Sequence, residues 1–516
     1  MNPLRFRNLL NPLASCILVA LLFVTSALSG QEPAKIIPAK GNENLQLEKI
    51  KDKNAKLHPD SLGAEPKKSV QIDTTHLNKY GDLLHDDPKY NKKYPFWIPA
   101  TEVLAVNAFV WSVDRYAMNA DYARISPTTW KYNLQKGWEW DTDRFGINFI
   151  GHPYSGTLSY NAGRANGYNY LESFGFSVGG SLMWEYFGEN TRPSYNDIIN
   201  TPVSGAFLGE ILYRLSSNVL DDRSRGTQRF FRELCAGILN PVRGLNRLVQ
   251  GKTFRKTTVE VYQKEPLNVS LYAGLHDSHD GKPASEMLNV QLDYGNPFEK
   301  RARKPFDFFK LRTDLNFSVG RKILDNVTGY GILVGKNSQI GKVSILTGAF
   351  QYLDYWDNKT FELGAIGFGG GVFTKVPVGK TSNLYTNVHL AVMPFAGNSR
   401  QVGPDSSQVR DYDYGGGFEG KFESTFNLGK YATASFVYYY YMFHTTVGLP
   451  GNNFIGIFRP RITARVYKAI SIGYEYFVYT DDRYLKDSPY VHNGRNEQKA
   501  FVLIYLEDRQ RRGRYN

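Results

Sequence analysis

Three residues in the middle of the chain carry side chains suited to acid–base chemistry: His152, Glu185 and Asp197. Histidine exchanges protons near neutral pH, and a carboxyl group whose pKa is raised by burial can act as a general acid or base. One hypothesis is therefore a catalytic group of one histidine and two carboxylates. The simpler hypothesis for His152 is a turn histidine that bonds local backbone, because it lies in Gly151-His152-Pro153.

The two acids also have structural explanations. Ser194 with Asp197 resembles a capping box in which Asp replaces the usual Glu or Gln. Glu185 belongs to a series of polar residues spaced four apart, which would form one polar stripe on a helix. That series is Ser173, Ser177, Ser181, Glu185 and Glu189. Structural roles are the simpler interpretation of both acids, and catalysis is the alternative hypothesis.

The chain carries no convincing motif for a bound cofactor. It has no HExxH sequence, no paired His–Cys spacing, no Gly-x-Ser-x-Gly elbow and no clear phosphate loop or dinucleotide fingerprint. The glycine-rich run from Gly367 to Gly371 lies inside a strand pattern, where it favours a bend rather than phosphate binding. We therefore expect neither a cofactor nor a metal ion.

Helical periodicity surrounds the three candidate residues. The second of four predicted helices could instead be two short strands, because Gly175, Gly179 and Gly180 are poor helix formers. A short link at 188–193 would make the middle two helices antiparallel neighbours, packed through small and polar residues. The four helices are Pro99 to Tyr116, Leu171 to Phe187, Ser194 to Ser217 and Gln228 to Leu248. We expect a mainly α-helical domain over residues 96–250.

A set of short motifs lies in the same region. They are Asp143-Arg144-Phe145-Gly146-Ile147-Asn148-Phe149, Gly151-His152-Pro153, Trp184-Glu185-Tyr186, Pro193-Ser194-x-x-Asp197, Thr201-Pro202-x-x-Gly205 and Gly209-Glu210. In this order they resemble the bacterial family called "domain of unknown function 3943", over about residues 95–225. The resemblance implies an envelope protein of a Gram-negative cell. It implies no particular activity, because none is established for the family.

After about residue 266, apolar residues alternate with polar ones. Leu288, Val290 and Leu292, for example, alternate with Asn289 and Gln291. Such alternation predicts strands with one apolar and one polar face. We count about twelve strands, an even number as in bacterial membrane barrels. The chain is therefore predicted to be mostly β, with an antiparallel transmembrane β-barrel over residues 251–508; a soluble β-fold is the alternative.

Connection lengths favour the membrane barrel. Tight turns are predicted near Leu428-Gly429 and Tyr467-Lys468, whereas residues 395–411 and 481–497 are long and polar. Short turns on the periplasmic side and long external loops are typical of the bacterial outer membrane. Residues 395–411 and 481–497 are therefore expected to face the cell exterior.

One pairing on the inner wall of the barrel can be predicted in detail. Arg459, Arg461 and Arg465 share a face, and the turn at Lys468 places Arg461 opposite Glu475. Opposite charges on neighbouring strands attract, and a lumen shields them from hydrocarbon. These arginines are therefore expected to line the lumen.

The N-terminus predicts export. Arg5 and Arg7 precede an apolar run from Ile17 to Leu28, and small residues around Ser29 provide a cleavage context. Residues 1–30 are therefore predicted to be a cleavable signal peptide. No other apolar stretch has the roughly 18–20 residues that a helical span needs, so an outer-membrane barrel is the expected destination.

Charge and composition limit the classes of partner that the protein is expected to bind. Residues 31–95 are polar and Lys-rich, which predicts a disordered linker, and residues 509–516 form a basic tail. The formal charge is +13, but no basic cluster accompanies a nucleic-acid recognition motif. We therefore expect membrane lipids and no nucleic acid as partners, with a small-molecule or lipid ligand as a further option.

Two functional hypotheses follow. The first is a non-enzymatic channel, lipid-handling protein or envelope-assembly protein, with the helical domain plugging the lumen or lying on the periplasmic side. The second is an outer-membrane hydrolase acting on lipid or cell-wall material through His152, Glu185 and Asp197.

Overall fold

The computed structural model describes residues 83–278, 283–317, 322–358, 360–399 and 412–507. The predicted signal peptide, the linker before residue 83 and the basic tail lie outside these residues. Within the described ranges, no helix combines the length and hydropathy needed to cross a membrane. The helices are α1 (Trp97–Ser112), α2 (Pro127–Lys136), α3 (His152–Ala165), α4 (Tyr170–Phe187), α5 (Tyr195–Val219), α6 (Gly226–Leu239) and α7 (Pro241–Val249).

Local sequence explains where several helices begin. Ser126 starts α2 with a capping box, in which the side chains of Ser126 and Thr129 each accept from the other's backbone amide. Pro241 occupies the first turn of α7, and the side chain of Asn240 caps that helix. Because this cap starts a new helix, the single helix expected from Gln228 to Leu248 is in fact α6 followed by α7.

Helix α3, which the sequence did not indicate, packs between α4 and α5. Gly156 of α3 approaches α5 so closely that a Cβ there would lie 1.9 Å from the carbonyl oxygen of Thr201. On its other side, Ser177 of α4 donates to the carbonyl of Gly156 at 2.8 Å. The small stripes of α4 and α5 therefore face α3 for much of their length. Helices α4 and α5 also contact each other, since Ser181 donates to the carbonyl of Asp197 at 3.3 Å, so they are neighbours as predicted, but most of their small residues face α3 instead of each other.

Twelve antiparallel strands close into a barrel in chain order, which confirms the predicted fold. The closing pair is β12 with β1, where Ile504 lies opposite Leu271. The strands are β1 (Leu267–Asp277), β2 (Ser285–Tyr294), β3 (Phe309–Asn316), β4 (Leu324–Ile340), β5 (Val343–Asp357), β6 (Glu362–Val378), β7 (Ser382–Ser399), β8 (Tyr412–Leu428), β9 (Ala432–Val447), β10 (Gly451–Tyr467), β11 (Ile470–Leu485) and β12 (Val491–Leu506).

The two ends of the barrel differ in their connections. One end, called here the turn end, has tight turns at 341–342, 379–381, 429–431 and 468–469. The opposite end, called the loop end, includes the connection at 486–490. Most of the loop predicted at 395–411 lies outside the described residues, and its first residues belong to β7.

The predicted long loop at 481–497 is wrong. β11 and β12 extend into it, and Asp482 pairs with His492. Strands that continue beyond the apolar band are polar on both faces, so polar composition alone does not mark a loop there.

Charged and aromatic side chains fill the lumen. Lys310 on β3 reaches across the lumen to Glu423 on β8, with 3.1 Å between Nζ and Oε2. Arg461 lies opposite Glu475, and its Nη2 is 2.8 Å from Oε1, which confirms the predicted pair. Large side chains that are almost completely buried occupy the space between such pairs: Trp356, Tyr439, Tyr441, Phe477 and Tyr479. The lumen is therefore filled by the barrel's own side chains.

The helical domain lies against the outer wall of the barrel. Phe309 and Leu311 alternate with the lumen-facing Lys310, so they point outward, and they share one apolar cluster with Phe207 of α5. Gln351 of β5 donates to the carbonyl of Val203 in α5 at 2.9 Å. The expectation of a domain inside the lumen or below the barrel is wrong, because α5 finds its apolar partner on the outer face of the strands.

Helix α5 follows the wall over much of its height. It has 25 residues, and at 1.5 Å per residue its length is about 37 Å. At its start, Asn196 bonds Asn148, which in turn bonds Tyr412 at the loop end. Towards its other end, Arg214 donates to the carbonyl of Pro305 beside the turn end. The helical domain therefore connects the two ends of the barrel along its outside.

The outer wall that the helices leave uncovered is rich in exposed apolar side chains. These include Val388, Leu390 and Val392 on β7, Phe418 on β8, Tyr438 and Met442 on β9, Ile472 on β11 and Val502 on β12. An apolar exterior around a polar interior is the reverse of a water-soluble β-protein.

Candidate functional site

His152, Asp143 and Asp197 come together at the loop-end side of the helical domain. His152 is the first residue of α3, Asp197 lies in the first turn of α5, and Asp143 precedes a short π-helical turn at Ile147–Gly151. The Nε2 atom of His152 is 3.6 Å from Oδ2 of Asp143 and 3.6 Å from Oδ1 of Asp197. The prediction of a turn histidine is therefore wrong: His152 starts a helix, and its ring faces two carboxylates.

Glu185 lies beside this group, at the end of α4. Its Oε2 accepts a hydrogen bond from the backbone amide of Ser194 at 2.7 Å, and its side chain is buried. Ser194 precedes α5, but its side chain makes no capping bond to the helix. The expected capping box of Ser194 and Asp197 is therefore wrong, because Glu185 binds the Ser194 amide and Asp197 turns towards His152.

Asparagines connect the site to the barrel. Asn148 donates to the phenol oxygens of Tyr412 at 2.6 Å and Tyr414 at 3.0 Å, both on β8. Its own side-chain oxygen accepts from Asn196 at 3.1 Å. Asn196 also donates to Oδ1 of Asp197 at 3.0 Å. The barrel wall therefore helps to fix the position of Asp197.

The electrostatics of the site are dominated by carboxylates. Burial raises the pKa of Asp197 well above its usual value, although His152 opposes this effect. Burial also raises the pKa of Glu185 well above its ordinary value, and the neighbouring Glu189 adds to the rise. Burial lowers the pKa of His152, but Asp197 and then Asp143 outweigh it and hold that pKa well above normal. Burial therefore favours the uncharged form of each carboxyl group, whereas His152 and Asp197 stabilise each other's charged forms.

A small cavity adjoins the group. It holds about 10 Å³ and is lined by His152, Ser159, Ser181, Glu185 and Thr201, among others. This is enough space for roughly one water molecule. Among the described residues, neither Nε2 of His152 nor Oγ1 of Thr201 has a hydrogen-bond partner. The site therefore combines a space for water with groups that can give or take protons.

A divalent cation could also be held near this position. Asp141, Asp143 and His152 each offer one ligand atom, and these atoms lie within 4.8 Å of one another. Oxygen and imidazole ligands of this kind suit several divalent metals. The sequence-based expectation of no metal therefore stays a prediction.

The structure brings all three predicted site residues into one neighbourhood and adds Asp143 and Asp141. Asp143 opens the first motif of the family resemblance, so its position in that motif was a usable signal. Asp141 has no comparable signal, because nothing in the spacing shows that the loop before α3 folds back onto α5. The sequence could supply the residue types but not their convergence.

The fold and the site define a class of protein: a closed twelve-stranded β-barrel with a wall-bound helical domain that carries a histidine–carboxylate cluster. Residues 137–242 match the family described as "Domain of unknown function (DUF3943)", which confirms the resemblance. The matched region contains His152, Glu185 and Asp197. No curated protein matches the chain.

Solved structures of a porin, a channel and a further outer membrane protein are similar to part of the chain. The NanC porin is 10% identical, with a TM-score of 0.25, and the match covers 46% of this chain and 98% of that one. The outer membrane channel DcaP of Acinetobacter baumannii is 8% identical, with a TM-score of 0.21 and coverages of 47% and 96%. The trimer form of OmpT from Vibrio cholerae is 7% identical, with a TM-score of 0.21 and coverages of 47% and 99%. Similarities this low do not bear on function, so the functional argument rests on the site.

Proposed function

We propose that this is an outer-membrane protein whose barrel anchors a hydrolytic helical domain on its lipid-facing side. The observation that carries the proposal is the cluster of His152, Asp143 and Asp197, which three separate segments bring together beside a water-sized cavity. The proposed substrate class is an ester of a membrane lipid or of another envelope amphiphile.

The surface of the barrel supports a membrane location. Its uncovered outer wall is apolar, its lumen is charged, and its strands close without an edge. This combination satisfies the backbone in hydrocarbon and keeps charges away from lipid. An open-channel function is not supported, because side chains such as Arg459 and Trp356 fill the lumen and are completely buried.

The surface of the helical domain supports a lipid substrate. Apolar side chains are exposed on helices that do not contact the barrel through those faces, and a membrane beside the barrel would cover them. They include Trp97, Leu104 and Phe109 on α1, Phe230 and Phe231 on α6, and Leu245, Leu248 and Val249 on α7. A lipid would then reach the helical domain from the side, without passing through water.

The proposed reaction is ester hydrolysis. Burial makes the carboxylate of Asp197 a stronger base than usual, because it raises the pKa. Asp197 takes a proton from water while the water oxygen attacks the ester carbonyl carbon. The bond from that carbon to the leaving oxygen breaks, and protonated His152 gives its proton to the leaving alcohol. Glu185 acts as a positioning residue, because it holds the Ser194 amide at the start of α5.

The test uses the purified full chain in vesicles made from an outer-membrane lipid extract, with products followed by mass spectrometry. We expect the wild type to release fatty acid, and His152→Gln and Asp197→Asn to lower the rate by about 100-fold or more. His492→Gln is the matched control, because His492 is exposed on β12, which lies four strands away from the site-contacting β8. Lack of turnover by the wild type would favour a non-enzymatic lipid-handling function instead. Equal rates for wild type and His152→Gln would exclude the proposed site.

A further inference from the structure

A second and larger cavity lies at the other end of the helical domain. It has a volume of about 540 Å³ and is enclosed by the segment 85–93, the C-terminal parts of α3 and α5, and α7. Lys304 and Pro305, in the connection from β2 to β3, form its border towards the turn end of the barrel. Cavities of this size commonly hold a small molecule or part of a larger one.

The cavity is strongly cationic. Eight lysines and arginines line it, against two carboxylates, Asp86 and Glu210. Glu210 is already shared by two arginines: its Oε2 is 2.6 Å from Nε of Arg164, and its Oε1 is 2.7 Å from Nε of Arg214. Although burial raises the pKa of Glu210, these arginines lower it to about 2. Its charge is therefore shared by these two arginines, while Lys93 and Arg247 pair with Glu172 and Glu233 outside the lining.

Arg243 is a buried cation held mainly by neutral groups. Its Nη1 donates to the hydroxyls of Ser216 and Ser217 and to the carbonyl of Tyr213, all of them neutral groups. The carboxylate of Asp86 is 3.9 Å from its Nη2, too far for a hydrogen bond. Two serine hydroxyls, a backbone carbonyl and the Tyr213 ring, whose centre is 4.1 Å from the guanidinium carbon, thus fix Arg243 in place, with Asp86 as its one long ion pair among the described residues.

Lys252 adds a second cation at the same wall. No carboxylate within the described part of the chain forms an ion pair with it, and its ammonium lies 5.0 Å from the ring centre of Tyr94. Burial, together with repulsion from Arg255, Arg243 and Arg247, lowers the pKa of Lys252 to about 8. An anion bound between Lys252 and these arginines would offset their mutual repulsion.

An apolar edge adjoins this cationic wall. Leu248 and Val249 at the end of α7 and Phe254 just beyond it are exposed, and they flank the lining residues Arg247 and Lys252 in the chain. A charged interior with an apolar edge matches an amphiphile whose anionic head enters while its chains stay outside.

We propose that this cavity binds a phosphate group, carried either by a lipid headgroup or by free phosphate. Arginine and lysine side chains are the usual protein ligands of phosphate, and the fixed guanidinium of Arg243 is already organised for it. The cavity lies at the other end of α5 from His152, so this binding does not depend on the proposed hydrolysis.

The experiment measures binding to the full chain purified in a neutral detergent. One arm titrates inorganic phosphate by calorimetry. The other titrates mixed micelles that contain phosphatidylglycerol, and micelles of the same detergent without lipid are the blank. The variant is Lys252→Gln, which removes a charge without breaking an ion pair of the described structure. The matched control is Lys131→Gln, an exposed lysine on α2 that does not line the cavity.

We expect wild type and Lys131→Gln to bind equally, and Lys252→Gln to bind at least fivefold more weakly. Binding of phosphatidylglycerol micelles alone would assign the site to a lipid headgroup, and binding of inorganic phosphate alone would assign it to the free anion. No binding in either arm would overturn the proposal. An equal loss in both variants would also overturn it, because general surface charge would then explain the attraction.

Discussion

At the scale of single residues, the site shows how burial changes the protonation and hydrogen bonding of a carboxyl group. In the sequence, Glu185 and Asp197 occupy positions that are typical of solvent-facing or capping helix residues. In the structure, both are buried next to a histidine. A buried carboxylate without partners is very costly, so each must be protonated, bonded or paired. Glu185 meets this need through the Ser194 amide and Asp197 through His152. Their roles are therefore distinct, although their sequence patterns are similar.

The role of Glu185 can be tested by two substitutions. Burial raises the pKa of Glu185 well above normal and so favours its uncharged form, and glutamine keeps the shape of the side chain and an oxygen that can accept from the Ser194 amide. Glu185→Gln should therefore keep both assembly and the rate of lipid hydrolysis. Glu185→Ala leaves the buried Ser194 amide without its acceptor and should cost about 1–3 kcal/mol of stability. Unfolding of the helical domain followed by circular dichroism measures the second effect. A fully folded but inactive Glu185→Gln protein would show instead that this carboxyl takes part in the chemistry.

At the scale of elements, α3 organises the helical domain. Its glycines and serines let both α4 and α5 approach it closely, and its first residue is His152. Because the residues at these contacts are small, the helix backbones pack directly against each other without large side chains between them. The position of the histidine relative to Asp197 therefore depends on how closely α3 and α5 approach.

This closeness predicts the effect of adding one methyl group. Gly156→Ala would place a Cβ 1.9 Å from the Thr201 carbonyl, so α3 and α5 must move apart. We expect a loss of about 1–3 kcal/mol or more in the stability of the helical domain. Gly175→Ala on α4 is the control, because a Cβ there meets no atom within 4 Å. It should be neutral or stabilising by about 0.5–1 kcal/mol. Equal stabilities of the two variants in a denaturant titration would contradict the close packing.

At the scale of the whole molecule, the barrel acts as a wall rather than as a pore. Its lumen is closed by ion pairs and aromatic rings, and its outer face carries the helical domain. One face of the strands thus holds the barrel together, while the other positions the site through Tyr412 and Tyr414. Lateral attachment places the helical domain on the outer side of the barrel.

The orientation of the barrel can be tested by tagging. Short turns face the periplasm in outer-membrane barrels, so the loop end should face the cell exterior. A peptide tag inserted after Asp487, in the connection at 486–490, should bind antibody on intact cells. A tag inserted after Gly429, in the turn at 429–431, should bind only after the outer membrane is opened. The reverse pattern would place the helical domain the other way up, with the cationic cavity outside.

The barrel and the candidate residues could be predicted from the amino-acid pattern alone. Strict alternation fixes which side chains share a face, because successive residues of a strand point to opposite sides. It therefore predicted about twelve strands, and it predicted Arg461 opposite Glu475. The motifs around His152 likewise marked the region that the family match covers.

Only the tertiary structure decided where the helical domain lies and which groups meet. The same apolar helix face could pack in a lumen, below a barrel or on its outer wall, because the hydrophobic effect favours burial of apolar area without specifying the partner. The contact of Phe207 with the outward residues Phe309 and Leu311 selects the wall. In the same way, the 3.6 Å from His152 to both Asp143 and Asp197 depends on a helix packing that local pattern does not encode.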